Sequence, residues 1–170
     1  MKTFEFVVHG PFDVPILCDD ADGQLDRYEF WRGTGELRQL ARQSGCYVFA
    51  LESTKGNITP AYVGLTRRGF SKEVFNPSNL RKYCRALRDG RRRSPVLFLI
   101  VHPSAKGKLN RTYVGELETF LIQAGSAKNP EIRNTKGVAR PKWRIRGVTG
   151  RRPGKQPIAA TKLRSAMGIS

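Results

Sequence analysis

One carboxylate in this sequence stands where an apolar side chain is expected. Apolar residues recur with helical spacing over residues 110–125, which predicts a helix with a core-facing stripe. At about 100° per residue, Glu118 falls inside this stripe, roughly 40° from Val114, whereas Glu116 falls outside it. An ionised carboxylate facing a core costs several kcal/mol unless it is paired or binds a metal ion. Glu118 is therefore either paired with one of the many arginines or a metal-binding or catalytic residue.

Two tyrosines lie near the middle of two predicted neighbouring strands. Residues 46–51 and 60–64 are rich in β-branched, aromatic and small side chains, and a Gly-Asn turn signal at 56–57 separates them, so a β-hairpin is predicted. Tyr47 belongs to the first strand and Tyr62 to the second. Two tyrosines on a hairpin ordinarily serve as packing, and their context must decide whether they do chemistry.

The elements around these residues form a short ordered series. A helix is predicted over residues 36–44, ending at Gly45, which suits a left-handed stop. A run of six apolar residues, 96–101, is typical of a buried central strand and precedes the helix of Glu118. Between the hairpin and this strand, residues 79–89 predict a helix with an apolar stripe and an opposite basic side. The stripe is Leu80, Tyr83, Cys84 and Leu87, and the basic side is Arg81, Lys82, Arg85 and Arg88.

Further segments flank this series. Residues 3–8 and 14–17 predict short strands, separated at Gly10-Pro11. The acidic turn at 19–23 partly matches a calcium-binding loop, but Cys18 at its first position is not a carboxylate, and the acidic start of a helix is the alternative. Near the other end, residues 142–146 alternate like a strand with one charged face, and residues 159–167 predict a helix.

The charge of the chain points to a polyanionic partner. The 170 residues contain 31 Lys and Arg against 14 Asp and Glu, a net charge of +17, and so large an excess indicates nucleic acid or, less often, an anionic membrane. Residues 1–36 hold eight acids and three bases, and no acid follows Glu131. The nucleic-acid surface is therefore expected in the middle and C-terminal parts, and the acidic N-terminal segment is free to bind a protein partner or to screen the basic surface.

The cysteines and the hydropathy of the chain indicate the cellular compartment of the protein. Cys18, Cys46 and Cys84 are odd in number, far apart and without a pairing motif, which is typical of buried thiols in a reducing cytosol. No stretch approaches the roughly 20 apolar residues of a membrane span, and the N-terminus lacks the order of a signal peptide. We expect a cytoplasmic protein that does not enter membranes.

Taken together, these motifs resemble the GIY-YIG nuclease superfamily. The tripeptide Cys46-Tyr47-Val48, which follows Gly45, is similar to the first signature, Tyr62-Val63-Gly64 is similar to the second, and Thr66 follows as in the common continuation. The helix of Glu118, followed by Asn129-Pro130 and Asn134, is similar to the late motif of a glutamate helix, a proline and an asparagine. The resemblance covers roughly residues 45–134, and the order of the predicted elements also matches the family.

The resemblance implies a fold and a reaction. The fold would be α+β, with a small central antiparallel sheet of about three strands flanked by helices. The reaction would be hydrolysis of phosphodiester bonds, in DNA rather than RNA, with Mg²⁺ or Mn²⁺ bound by Glu118. Tyr47 would act as, or position, the general base, which requires a lowered phenol pKa or a relay. Tyr62 would hydrogen-bond the water or the phosphate, and Asn134 would brace the site.

The sequence departs from the family pattern at one catalytic position. The family places an arginine or other cation after the second tripeptide, where a gapless count puts Lys72, with Arg81 on the next helix as the alternative. Other bases would bind the substrate backbone without reading its sequence. These are Arg67, Arg68, Lys82, Arg85, Arg88, Arg91, Arg92, Arg93, Lys142 and Arg144. Trp143 would stack on a base or, more ordinarily for an alternating strand, pack in the core.

Three readings of the whole chain follow. The first is an active nuclease, with an N-terminal extension over 1–44, a nuclease core over 45–136 and a basic extension over 137–170, all in one compact domain. The second is a catalytically inactive nucleic-acid-binding module on the same fold, favoured by the missing arginine. The third, a basic architectural or ribosome-associated protein, leaves the position of Glu118 unexplained.

Overall fold

A computed structural model of the chain describes residues 4–18, 24–89, 93–103, 109–126, 143–149 and 156–169. Over these residues the protein is α+β, with a mixed five-stranded sheet and six helices. The strands are β1 Phe4–Asp13, β2 Gly45–Ser53, β3 Ile58–Thr66, β4 Arg93–Val101 and β5 Trp143–Ile145. The helices are α1 Arg27–Arg32, α2 Gly35–Leu40, α3 Phe70–Glu73, α4 Pro77–Asp89, α5 Arg111–Ser126 and α6 Ile158–Ala166.

The sheet has more strands than the expected three. Its order is β3-β2-β4-β1-β5, so the predicted hairpin β2–β3 and the predicted central strand β4 are confirmed. β1 pairs antiparallel with the other side of β4, and β5 pairs parallel with β1. The count of three was wrong because the free edge of β4 presents unpaired backbone groups. The N-terminal strand β1 pairs with that edge, and β5 pairs with the outer edge of β1, so the sheet gains two strands.

The N-terminal segment also differs from its prediction. β1 is one continuous strand with a bulge between His9 and Phe12, where two strands separated at Gly10-Pro11 were expected. Residues 14–17 form no strand apart from an isolated bridge at Leu17. The helix predicted over 36–44 is present as α2, which is capped by the Thr34 side chain and ends earlier, at Leu40; α1 is an additional helix, which begins with the Asp26 side chain accepting from the Glu29 amide. These side-chain caps satisfy first-turn amides and mark two separate helix starts.

Gly45 does not terminate the preceding helix, because it is the first residue of β2. Its φ of 153° lies in the region that favours glycine, and an added Cβ would collide with the Ile100 carbonyl oxygen on the paired strand β4. The glycine at this position is therefore explained by the close approach of two central strands.

Alternation along β2 divides the interior into two cores. Cys46 and Val48 face Val114, Leu117 and Leu121 of α5 in one core, which α6 also joins. The intervening side chains, including those of Tyr47 and Phe49, face the other way, into a second core formed with α1 to α4. The sheet thus separates the face of the tyrosines from the face covered by α5.

The helix α4 confirms its predicted amphipathic pattern. Leu80, Tyr83 and Cys84 are buried and Leu87 is half-buried, whereas the four basic residues of the opposite side are exposed. The prediction that the cysteines are unpaired is wrong for two of them. Cys84 forms a disulfide with Cys18, across a sequence separation of 66 residues, and this bond joins α4 to the segment before α1. The third cysteine, Cys46, is a buried thiol.

The cytoplasmic location rested on those thiols and remains a prediction. Among the helices that the structure describes, none is long and apolar enough to cross a membrane.

Candidate functional site

The hydroxyl of Tyr47 lies at the centre of a buried polar cluster. Tyr47 is 1% exposed, and its Oη accepts a hydrogen bond of 2.8 Å from Nδ2 of Asn79, which is itself buried at the start of α4. The same Nδ2 donates to the Glu73 carbonyl oxygen at 3.0 Å. The turn between α3 and α4 is held in addition by the Asn79 amide, which donates to the Asn76 side chain. Asn79 therefore fixes the phenol relative to the start of α4.

Gly64 makes room for the Tyr47 ring. The two residues are paired opposite each other on β2 and β3, and the ring crosses the glycine so closely that an added Cβ would lie 2.5 Å from Cζ and closer still to Oη. Any side chain at position 64 would occupy space that the phenol fills. The pairing of a tyrosine in the first motif with a glycine in the second thus has a packing reason.

Tyr62 lies beside Tyr47 on the edge strand β3 and is half-buried. The ring centroids of Tyr47 and Tyr62 are 6.2 Å apart, and Tyr83 lies 5.9 Å from Tyr62 on the same side. Above the exposed side of Tyr62, the ammonium of Lys82 is 4.4 Å from the ring centroid and 3.2 Å from Oη. The ammonium donates to the Tyr62 oxygen, which also interacts with the Tyr47 hydroxyl, and the Tyr62 proton is therefore directed away from Lys82.

Burial argues against Tyr47 as a directly ionising base. Desolvation, with smaller effects from Tyr62 and Glu73, raises the pKa of Tyr47 far above its usual value, and the Asn79 hydrogen bond offsets only part of this. A base that ionises directly needs the opposite shift. Of the two roles expected for Tyr47, general base or positioning of the base, the environment favours positioning.

Glu118 lies on the opposite face of the sheet, on α5, and is half-buried. Burial raises the pKa of its carboxyl, and the charge of Arg67, which follows β3, partly offsets the rise. Cys46 is close enough for the Glu118 charge to add to the burial that raises the pKa of its thiol. Within the described residues, no salt bridge or hydrogen bond satisfies the Glu118 carboxylate. The ion pair that was one interpretation of this residue is not formed there.

The helix of Glu118 is held at its N-terminal end by polar contacts. The Asn110 side chain accepts from the Tyr113 amide at 3.1 Å, and the Asn110 amide donates to Nε2 of His102 at 3.0 Å. His102 is buried, and burial lowers its pKa, which favours the neutral ring that this acceptor role needs. The Cys46 thiol lies 3.4 Å from the Val114 carbonyl oxygen and ties α5 to β2. These contacts set the position from which Glu118 projects.

The site therefore has two halves on either side of one edge strand. Tyr47, Tyr62 and Lys82 lie on the face of the β2–β3 hairpin that α4 covers. The helix α5 covers the opposite face and carries Glu118 near the C-terminal end of β3. No hydrogen bond or ring contact joins Glu118 to Tyr47 or Tyr62 among the described contacts. A ligand that contacts both halves would therefore have to lie at the edge of the sheet.

The remaining predicted site residues fall into three groups. Several are exposed: Arg67, Arg68, Lys72, Arg81, Arg85, Arg88 and Arg93. Arg144 is half-buried and forms an ion pair with Glu5, which Arg146 also contacts, so one acid of the N-terminal segment screens one base in β5 and one just after it. Outside the described residues lie Asn134, Arg91, Arg92 and Lys142, together with the acidic turn at 19–23.

Trp143 belongs to the core and does not present its face for base stacking. It is 4% exposed, packs against Phe6 and Phe120, and donates through Nε1 to the Glu116 carboxylate at 2.9 Å. Of the two interpretations of this residue, core packing is confirmed. Glu116, the glutamate outside the apolar arc, thus has a structural partner, in contrast to Glu118.

Two partners at the site were missed from the sequence. The first is Asn79, which lies four residues before Tyr83 on the buried face of α4, so helical spacing alone could have found a buried amide beside the tyrosines. The second is Lys82 as a partner of Tyr62: this contact joins α4 to β3, and nothing local in the sequence indicates it.

A cleft of about 900 Å³ lies near the end of β1, between that strand and helices α1 and α2. Its lining is mainly apolar, with the acids Asp13, Asp26 and Glu29 among the lining residues. None of the predicted catalytic residues lines it, and its place in the acidic N-terminal segment is where a protein partner was expected.

No protein-family model, no characterised protein and no solved structure matches this chain. The likeness to GIY-YIG nucleases therefore rests on the residues of the chain itself.

Proposed function

We propose that this protein is a metal-dependent endonuclease of the GIY-YIG type that hydrolyses phosphodiester bonds, with DNA as the preferred substrate. The observation that carries the proposal is the environment of the Glu118 carboxyl group. Its carboxyl group is half-buried on a core-packed helix and forms no salt bridge or hydrogen bond within the described residues, and the charge of Arg67 only partly offsets the effect of burial on its pKa. A carboxylate kept in such a place is a cost to stability unless a cation offsets it.

A hard divalent cation suits this single donor. Mg²⁺ keeps several of its waters and is usually held by one or two carboxylates together with substrate phosphates. No cluster of three metal-ligating side chains occurs in the part of the chain that the structure describes, and a magnesium site of this kind does not need one. Glu118 would hold the ion, which when bound would polarise the phosphoryl oxygen and offset the charge of the leaving oxygen.

The phenols supply positioning and a hydrogen-bond donor in this proposal. Tyr47 keeps its proton because burial raises its pKa, and Asn79 and Gly64 hold its ring in one place. Tyr62 is half-exposed on the edge strand and is the phenol that reaches substrate. With Lys82 donating to its oxygen, Tyr62 can donate its own proton to a phosphate oxygen or orient the attacking water.

The net charge of +17 supports a nucleic-acid substrate. Exposed arginines follow β3 and line the outer side of α4, next to the Tyr62 edge. These residues are Arg67, Arg68, Arg81, Arg85 and Arg88. Contacts of this kind bind the phosphate backbone irrespective of sequence and weaken with added salt.

A catalytically inactive nucleic-acid-binding module on the same fold is the alternative. It is favoured by Tyr47, which is 1% exposed and so well packed that a purely structural role would explain it. Such a module would bind nucleic acid in a salt-sensitive manner, and chelators would not change its affinity.

Cleavage in the presence and absence of metal separates the two functions. Plasmid and short single-stranded DNA are incubated with the purified protein in Mg²⁺, in Mn²⁺ and in chelator, beside Glu118→Gln and a control, Glu52→Gln. Glu52 is a partly buried glutamate at the far end of β2. We expect cleavage by the wild type and the control in metal only, and none by Glu118→Gln. Binding without cleavage under every condition would favour the module.

A further inference from the structure

The described site contains a cation that the family pattern does not specify. The sequence left the phosphate-facing cation open between Lys72 on α3 and Arg81 on α4. The structure shows a different basic residue, Lys82, in direct contact with Tyr62, through a 3.2 Å hydrogen bond to Oη and a position 4.4 Å from the ring centroid. At about 100° per residue, the side chain of Arg81 leaves α4 in another direction from that of Lys82.

The Lys82 ammonium has donor capacity to spare. An ammonium carries three N–H groups, and the structure gives one acceptor to this one, the Tyr62 hydroxyl. No carboxylate pairs with Lys82 in the described part of the chain, and the side chain is exposed. Its remaining N–H groups therefore face solvent at the place where Tyr62 is also accessible.

Lys82 and Tyr62 together present two hydrogen-bond donors at the edge strand β3. Because the phenol oxygen accepts from Lys82, the phenol proton is directed to a different acceptor. A phosphate group accepts several charge-assisted hydrogen bonds at once. The lysine ammonium, a compact charge on a flexible side chain, is a common phosphate ligand. Stacking of the lysine over the Tyr62 ring restrains the ammonium before any ligand arrives.

We infer that Lys82 binds the scissile phosphate together with Tyr62 and is the cation that completes the catalytic site. This inference rests on the proposed nuclease function and assigns a role in the reaction to a residue that would otherwise bind the backbone only. The bond broken is the phosphorus–oxygen ester bond. The attacking water supplies the new oxygen on phosphorus, and its two protons pass to the leaving oxygen and to solvent.

The test compares substitutions that differ in charge, place or partner. Lys82→Met removes the charge and keeps the apolar stem over Tyr62, Lys82→Arg keeps the charge, and Lys55→Met removes the same charge from the exposed turn between β2 and β3. Cleavage of a labelled DNA duplex in Mg²⁺ gives kcat and KM for each variant. Thermal unfolding checks that each variant is folded.

We expect Lys82→Met to lower kcat by about 10- to 100-fold, less than the 10²–10³-fold loss typical of a donor in an enclosed site. KM should change by less than about threefold, since one phosphate contact among many is lost. Lys82→Arg should keep most of the activity, and Lys55→Met should cleave like the wild type. In a Tyr62→Phe background the Lys82→Met loss should shrink, because the two donors act as a unit.

The outcomes distinguish this inference from the proposed function. If the wild type cleaves, Glu118→Gln does not, and Lys82→Met keeps full kcat, the inference is overturned and the nuclease function stands. If Lys82→Met changes only KM, and by as much as Lys55→Met does, Lys82 is merely a contact to the DNA backbone, and the inference is also overturned. A wild type that cleaves nothing overturns both.

Discussion

Substitution of Gly64 by alanine probes the packing on which the tyrosine pair depends. The added Cβ would lie 2.5 Å from Cζ of Tyr47 and closer still to Oη. Tyr47 is 1% exposed and lies between the sheet and the start of α4. Its ring cannot turn toward solvent without leaving the core, so either the ring or strand β3 must move.

The expected cost follows from two contributions. Overpacking a well-filled core costs about 1–3 kcal/mol. Displacement of the ring would also break the 2.8 Å hydrogen bond from Asn79, and such a bond contributes about 0.5–1.5 kcal/mol. We therefore expect Gly64→Ala to lower the free energy of unfolding by about 1.5–4.5 kcal/mol, a large part of the 5–15 kcal/mol that is usual for a domain.

Urea denaturation followed by far-UV circular dichroism measures this change. Gly115→Ala is the matched control, because Gly115 lies inside α5 and an added Cβ there meets nothing within 4 Å. Alanine is the better helix former by about 0.5–1 kcal/mol. The control should leave the stability unchanged or raise it slightly.

A double-mutant cycle with Tyr47→Leu identifies the cause. If the new Cβ conflicts with the phenol, Gly64→Ala should cost much less once the phenol is removed, and the two changes should be strongly non-additive. A Gly64→Ala variant within about 0.5 kcal/mol of the wild type, the usual range for a harmless surface change, would refute the placement of Tyr47 over Gly64.

Three further predictions concern the disulfide, His102 and Glu118. The Cys18–Cys84 bond closes a loop of 66 residues, so reduction should lower stability by up to about 4 kcal/mol; both residues found as free thiols in protein purified without reductant would contradict this. Because burial lowers the pKa of His102, the unfolded chain takes up the proton first, and stability should fall as pH drops below about 6.5. That fall should be smaller in His102→Gln, and an identical pH dependence in the two proteins would exclude His102 as its source. Because burial raises the pKa of Glu118, the folded carboxylate costs stability above the unfolded pKa of about 4.3. Without metal, Glu118→Gln should therefore be more stable than the wild type at pH 7 but not at pH 3, and an equal difference at both values would exclude a charge effect.

The sequence predicted the inner part of the fold well, because its signals there are local. The alternating hairpin, the apolar run of β4 and the stripes of α4 and α5 each follow from side-chain periodicity within one element. The placement of Glu118 on a core-packed helix follows from the same periodicity, and its half-buried position agrees with it.

The missed features all depend on contacts between distant segments. Strands were predicted at residues 3–8 and 142–146, but their places in the sheet were not: β1 pairs with the second edge of β4, and β5 pairs with β1. The Cys18–Cys84 pair spans 66 residues without a spacing motif. The face on which each tyrosine lies depends on strand register, and a shift of one residue would reverse it. Lys82 over Tyr62 is likewise a product of how α4 packs on β3.

The most direct test of the central claim is the single-turnover cleavage rate of a DNA duplex across a Mg²⁺ titration, for the wild type and Glu118→Gln. Loss of several kcal/mol of metal-derived stabilisation corresponds to a decrease of at least about 10³-fold. We expect that decrease in the variant at every Mg²⁺ concentration, with the wild-type rate rising to saturation and vanishing in chelator. A variant that cleaves at the wild-type rate, or a wild-type rate that does not depend on the metal, would contradict the assignment of Glu118 as the metal ligand of a nuclease.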